Sequence, residues 1–488
     1  MTIATNLESQ IGRRSADGRP LADVEKLYFS CRTAFLGGVI VLRKNRLGSD
    51  RKMKDAFRQV VKKSPLLQTQ ILGKPSLTDD LVFERVAEED WPMLKLESET
   101  YTIEEHALER GRDIVGRMFN AYQAGENNIH SGPLSVVAIK GKKTVVLAWV
   151  ASHYFLDGVG VAAVIMKFML YSFFPRRLWP ALDRKSSQAV PTLKEMVLKD
   201  MYSKVPTELP NEYLNEFYGE DFFRFSDYSP QTIRPEEASR LRGFTNEVLG
   251  TVTSKEMAQC RSKLRAAGVT LTTAMTALAL KVFAAIVYES YFGSNGDDSP
   301  ETPLSDRGPL QVVATTPMDA RKIGQWGDER DKKNHFPEVA NYAFGCFTPI
   351  PLQEVVDESL EEIALRIKTD VNNVRSNASD RWQSYLDTNI LATRHPYLCG
   401  VSSIVSPKMA ERVGLTPLHA SGAGRLQTSP RSWLNVVTTG RRTVVTADVM
   451  IPIEGLDAQF VRHRIQQIVS QQSNGALTPL LKNVMSRV

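Results

Sequence analysis

Cysteine is scarce in this chain and never clustered. The four residues, Cys31, Cys260, Cys346 and Cys399, stand alone in 488, with no C-x-x-C pair among them. That distribution excludes a disulfide framework and the usual zinc-binding spacings, and it suits reduced thiols in a cytosolic setting. Long apolar runs are missing too. The two best, 159–174 and 270–288, are broken by Lys167 and Lys281. Both fall short of the about twenty clean apolar residues a membrane span requires, and both read as core helices. Residues 1–20 are polar, with Arg13 and Arg14 but no apolar stretch, so they are expected to form a loose arm rather than a signal peptide. Membrane contact is therefore expected to be peripheral at most, with the Leu477–Val488 tail as the place to look.

A strong excess of one charge is also lacking: 61 basic residues face 55 acidic ones, a net charge of +6. The densest basic stretch, 43–63, holds nine Lys/Arg and two Asp, but Met53, Phe57, Val60 and Val61 recur in it at helical spacing. It reads as the solvated face of an amphipathic helix. No Walker-type glycine loop, zinc-finger spacing or aromatic nucleic-acid motif accompanies it, so no nucleic-acid partner is expected. No G-x-S-x-G nucleophile motif occurs either.

What is present is an ordinary globular composition, 42% hydrophobic and 24% charged, in a chain too long for one core. Two lobes of roughly 200 residues are expected. The proline-punctuated stretch 181–240 reads as a crossover between an N-terminal lobe, 1–180, and a C-terminal lobe, 241–488. Strand character is expected in 20–42, a helix stopped at Ser64-Pro65 after that, and a strand pair at 67–72 and 81–86. A helix near 103–121 and strands at 133–139 and 144–151 follow. In the second half, Thr253 and Glu256 have capping-box spacing ahead of Met257, Cys260 and Leu264, and Gly268 supplies a stop. A long helix through Ala274, Leu278 and Val282 comes next. Polar loops at 293–309 and 322–340 flank an apolar segment, 312–321. Leu434–Thr438 and Thr443–Met450 suit two strands, and a closing helix runs through Phe460, Ile465 and Val469.

One short stretch carries chemistry. The unbroken apolar run 144–151 reads as a strand covered on both faces. After Gly158 the spacing of Val159, Ala162, Ala163, Met166 and Leu170 becomes helical. His153 and Asp157 thus fall in a strand-to-helix loop. A lone histidine beside a core strand is commonly a packing residue. An aspartate four residues on, followed at once by glycine, points instead to a tight loop whose carboxylate turns back into the protein, where it needs a partner, while the imidazole faces a cavity.

The H-x-x-x-D-G pattern at 153–158 resembles the active-site motif of the chloramphenicol-acetyltransferase-like superfamily of CoA-dependent acyltransferases and peptide-synthetase condensation domains. The order of surrounding features is similar as well: Arg19-Pro20-Leu21 with Glu25-Lys26, Ser64-Pro65-Leu66-Leu67 after the first helix, and Gly268-Val269-Thr270-Leu271-Thr272 opening a later helix. The opening GRPLADVEK resembles the fungal alcohol O-acetyltransferase family within that superfamily. Two departures bear on the branch. The D-F-G-W-G motif of the plant-type branch is absent, and Ser152 stands where condensation domains carry a second histidine.

The resemblance implies an α/β fold of two chloramphenicol-acetyltransferase-like lobes, each a mixed sheet with helices, around a tunnel. It implies an acyl-CoA-dependent O-acyltransferase, with acetyl-CoA as co-substrate, no permanently bound cofactor and no metal. His153 would be the general base, and no covalent acyl-enzyme would form. Asp157 would pair with Arg321 to hold the loop, and Gly158 would permit the turn, although a plain glycine at the start of a helix explains it equally. Ser402 and Ser403, in Gly400-Val401-Ser402-Ser403-Ile404, are the candidates for an oxyanion or tunnel role, against the alternative of a plain strand with small residues. The partner is a small-molecule alcohol, and the chain is expected to act as a cytoplasmic monomer, with peripheral contact to endoplasmic reticulum or lipid droplets as the alternative location. An amine acceptor, a carrier-bound donor and a non-catalytic binding protein on the same scaffold stay open.

Overall fold

The computed structural model describes residues 21, 35–71, 82–97, 106–123, 133–182, 245–292, 311–319, 339, 343–376, 399–405, 415, 417–425, 431–438 and 442–450. The expected N-terminal arm, most of the crossover, the polar loops apart from Val339, the closing helix and Arg321 lie outside them.

In the first half, strand β1 (Phe35–Arg43) leads into helix α1 (Asp50–Lys62), which buries the Met53, Phe57, Val60 and Val61 face anticipated from spacing. Ser49 caps its start by accepting from the Lys52 amide, and the helix stops before Pro65, which begins a single 3-10 turn. The short pair β2 (Thr69–Ile71) and β3 (Phe83–Arg85) follows, then β4 (Leu94–Glu97), which the sequence pattern had not revealed, and α2 (Ala107–Gln123). Strands β5 (Leu134–Lys140) and β6 (Thr144–Ser152) form an antiparallel hairpin. All nine residues of β6 are buried. Helix α3 (Gly158–Phe173) lies against α1, where Phe57 and Phe168 meet edge to face at 5.7 Å.

In the second half, β7 (Thr245–Thr253) runs into α4 (Ser254–Ala266) through a capping box in which Thr253 and Glu256 satisfy each other's amides. Gly268, at φ 74°, ends that helix in the left-handed region that favours glycine. Helix α5 (Leu271–Phe292), strands β8 (Gln311–Asp319) and β9 (Ala343–Pro351), and helices α6 (Leu352–Asp357) and α7 (Leu360–Ser376) come next. The last strands are β10 (Cys399–Val405), β11 (His419–Arg425), β12 (Arg431–Thr438) and β13 (Arg442–Met450).

Two large sheets result. The five-stranded one has the order β11-β1-β6-β5-β4, and the six-stranded one β7-β13-β12-β10-β8-β9. Both mix parallel and antiparallel pairs: β4 runs parallel to β5, and β10 parallel to β8 and β12. The first sheet is not built from the first half alone. Strand β11 leaves the C-terminal half to pair with β1 along seven residue pairs, from Phe35 opposite Arg425 to Val41 opposite His419. Helix α2 covers one face of this sheet, with Phe119 against Phe35 at 6.4 Å, and Ile114 and Val115 in the same cluster. The opposite face belongs to a larger cluster that joins Met53, Phe57, Leu147 and Trp149 to Ala274, Leu278 and Ile363 of the second half.

Candidate active site

The loop between β6 and α3 is fixed by three devices. The amides of Phe155 and Leu156 both donate to the Ser152 carbonyl at 3.1 Å, closing a turn at the strand end. Tyr154, Phe155 and Leu156 are each at most 2% exposed, with Phe155 ringed by Phe83 at 5.3 Å and Tyr154 at 4.9 Å. At the far side Asp157, 2% exposed, is the N-cap of α3: its Oδ1 accepts from the Gly160 amide at 2.6 Å and its carbonyl accepts from Val161. A carboxylate there satisfies an otherwise orphaned donor and meets the positive end of the helix dipole. The carboxylate therefore does turn inward. Gly158 is the first residue of α3, and Gly268 is the only described glycine with a left-handed φ, so Gly158 serves as an ordinary helix-opening glycine in this geometry.

His153 is the exception in this loop. Every residue from Ala151 to Asp157 is buried except His153, which keeps intermediate exposure. Its surroundings are nonetheless deep enough to pull the imidazole pKa below the ordinary 6.5. Burial, which penalises the cation, is the largest cause, opposed by the residue's own backbone carbonyl and by the Asp157 carboxylate. A neutral imidazole at the end of a buried strand, with Nδ1 buried and part of the residue still exposed, is equipped to take a proton from a hydroxyl.

Ser402 and Ser403 sit in β10, in the other sheet, paired with Asn435 and Val436 of β12. Successive strand positions fall on opposite sheet faces, so one site can use only one of them. Arg321, two residues past the end of β8 at Asp319, lies outside the described residues. Among the described residues no group of three or more His, Cys, Asp or Glu could hold a metal ion, and no helix is long and apolar enough to cross a membrane.

No family model and no curated protein matches the chain. Solved structures do share its fold. The TRI3 trichothecene 15-O-acetyltransferase from Fusarium sporotrichioides superposes with a TM-score of 0.57 at 11% identity, covering 94% of each chain. F. graminearum TRI101, complexed with coenzyme A and deoxynivalenol, gives 0.56 at 11% identity, over 92% of this chain and 97% of that one. The EpoB cyclization-docking bidomain from Sorangium cellulosum gives 0.50 at 13% identity, over 99% and 90%. The architecture is thus the two-lobed, chloramphenicol-acetyltransferase-like α/β fold expected from the H-x-x-x-D-G pattern.

Proposed function

We propose that this chain is an acyl-CoA-dependent O-acyltransferase that moves an acyl group, acetyl by preference, from a CoA thioester to an alcohol. The observation that carries the reading is His153: the one side chain left accessible in a loop of buried residues, with its pKa lowered so that the base form prevails near neutrality. Its imidazole takes the hydroxyl proton as the alcohol oxygen attacks the thioester carbonyl. The tetrahedral intermediate then expels CoA thiolate, which recovers that proton from the ring, and no acyl group passes through the protein. Base assistance of this kind contributes roughly 100- to 10,000-fold.

The supporting roles complete the proposal. Asp157 holds the start of α3 and pairs with Arg321 to fix the loop. Ser402, which shares its row with Asn435, donates to the developing oxyanion. Ser403 shares its row with Val436 of the core and is left out. The assignment to the fungal alcohol O-acetyltransferase family rests on the N-terminal and H-x-x-x-D-G resemblances. Likeness to a cyclization-docking bidomain supports a second reading, in which the acyl donor is carrier-bound.

The test is a thiol-release assay with acetyl-CoA and a panel of alcohols and amines, products being identified by mass spectrometry. Ester formation without a carrier protein is the expected result. Amide products, or turnover only with a carrier-bound thioester, would reassign the reaction, and no turnover with either donor would end the proposal.

A further inference from the structure

The sheet face that leads to His153 is stripped of side chains along one side. Because strand residues alternate, Trp149 and Ala151 share one face of β6, whose end at Ser152 is followed directly by His153, and the register carries that face across β1 to β11. The row nearest the strand end is Ala151, Leu36 and Gly424; the next is Trp149, Gly38 and Gly422; the third is Leu147, Ile40 and Ala420. Along β11 this face therefore presents Gly424, Gly422 and Ala420. Beside it, Leu36 and Ile40 keep intermediate exposure while packing against the cluster that holds Leu147 and Trp149; the other hydrophobic residues of β1 are buried. Gly38 is required here, since a Cβ would fall 2.4 Å from Trp149 Cζ2, 2.7 Å from its Cε2 and 2.8 Å from the Ser421 carbonyl oxygen.

A strip of small residues is not in itself a site, but this one has a donor set against it. Trp149 is 6% exposed, and the ring edge that lies on Gly38, Cε2 to Cζ2, is the edge that carries Nε1. That Nε1 is buried and finds no hydrogen-bond partner among the described residues. Buried indole N–H groups ordinarily have an acceptor, and leaving one without costs free energy. An acceptor supplied by a ligand lying on the strip would remove that deficit.

We infer that Trp149 is a specificity-determining residue: its indole N–H, on the ring edge that lies against Gly38, donates to a carbonyl or ether oxygen of an extended, largely apolar acceptor molecule whose reacting hydroxyl lies at His153. The inference rests on the transferase reading and narrows it. Three strand steps separate Trp149 from Ser152 at the strand end, so the two oxygens of the acceptor stand on the order of 10 Å apart. That span fits a fused-ring alcohol with a distal oxygen and excludes short volatile alcohols as the preferred class.

The test uses a matched pair: a hydroxysteroid bearing a ketone at the far end of its ring system, and the same steroid without the ketone. Equilibrium dialysis measures binding to the whole protein, and thiol release from acetyl-CoA measures turnover. Wild-type protein is expected to favour the ketone by about tenfold in both. Trp149→Phe, which keeps an aromatic plate and removes the N–H, is expected to bring that ratio close to one. Equal binding of the two steroids by the wild type, or a preference that survives in Trp149→Phe, would overturn the inference. The wild-type comparison needs no variant, so it decides even if Trp149→Phe fails to fold. A ketone preference in binding without any CoA release would sink the transferase reading alone.

Discussion

At the scale of single residues, burial does opposite things to the two groups it perturbs most clearly. It pushes the Cys260 thiol up to about 11, with Arg261 and Lys263 opposing. A thiol that buried and that weakly acidic is expected to resist iodoacetamide at pH 8 in the native protein, and peptide mapping that finds Cys260 alkylated before unfolding would contradict this. His153 moves down from 6.5. Below that value the unfolded chain binds more protons at this site than the folded one. The contribution of His153 to stability is therefore complete above pH 6.5 and is lost as pH falls from there through the folded pKa. Denaturant titrations across that range should show a smaller acid loss in His153→Gln than in the wild type; equal losses would remove the burial account. His153 was legible because an apolar run, an acid and a glycine bracket it. Trp149 was not, because it lies inside that same run, and nothing in a continuous apolar stretch distinguishes a donor without an acceptor from a packed ring.

At the scale of elements, the loop is only as rigid as the start of α3. The sequence pointed to an inward-turned Asp157, and its hydrogen bond to the Gly160 amide gives that turn a local reason. Cap and ion pair can be separated. Asp157→Asn keeps a capping oxygen and discards the charge, whereas Asp157→Ala discards both. If Arg321 pairs with Asp157, Asn should lower stability by about 3 to 5 kcal/mol. If the cap alone matters, Asn should be nearly neutral and Ala should cost about 1 kcal/mol. Urea melts of the two variants distinguish these outcomes. Elements with a local signature were readable, as the Thr253 and Glu256 capping box and the left-handed Gly268 demonstrate. Strand β4 was not. Its four residues, Leu-Lys-Leu-Glu, are too short for a period to stand out, and their position is set by parallel pairing with β5.

At the scale of the whole molecule, the decisive feature is β11, which inserts residues 419–425 beside β1. No local pattern announces such a pairing, since its partners lie nearly four hundred residues apart and the glycines of His419–Arg425 carry little strand propensity. The two-lobed fold was legible through the H-x-x-x-D-G resemblance; this exchange between the halves was not read from it. A fragment ending at residue 180 would leave β1 as an unpaired edge, and it is expected to aggregate on size-exclusion chromatography; a soluble monomer with native-like circular dichroism would show that β11 is dispensable. The account as a whole stands on one proton. Its most direct test is the pH dependence of kcat/KM for thiol release, in wild type and in His153→Ala. The wild-type rate should fall on acidification with a single apparent pKa below 6.5, and His153→Ala should lose at least a hundredfold together with that inflection. A variant that retains wild-type turnover, or the same inflection, would contradict the assignment of His153 as the base.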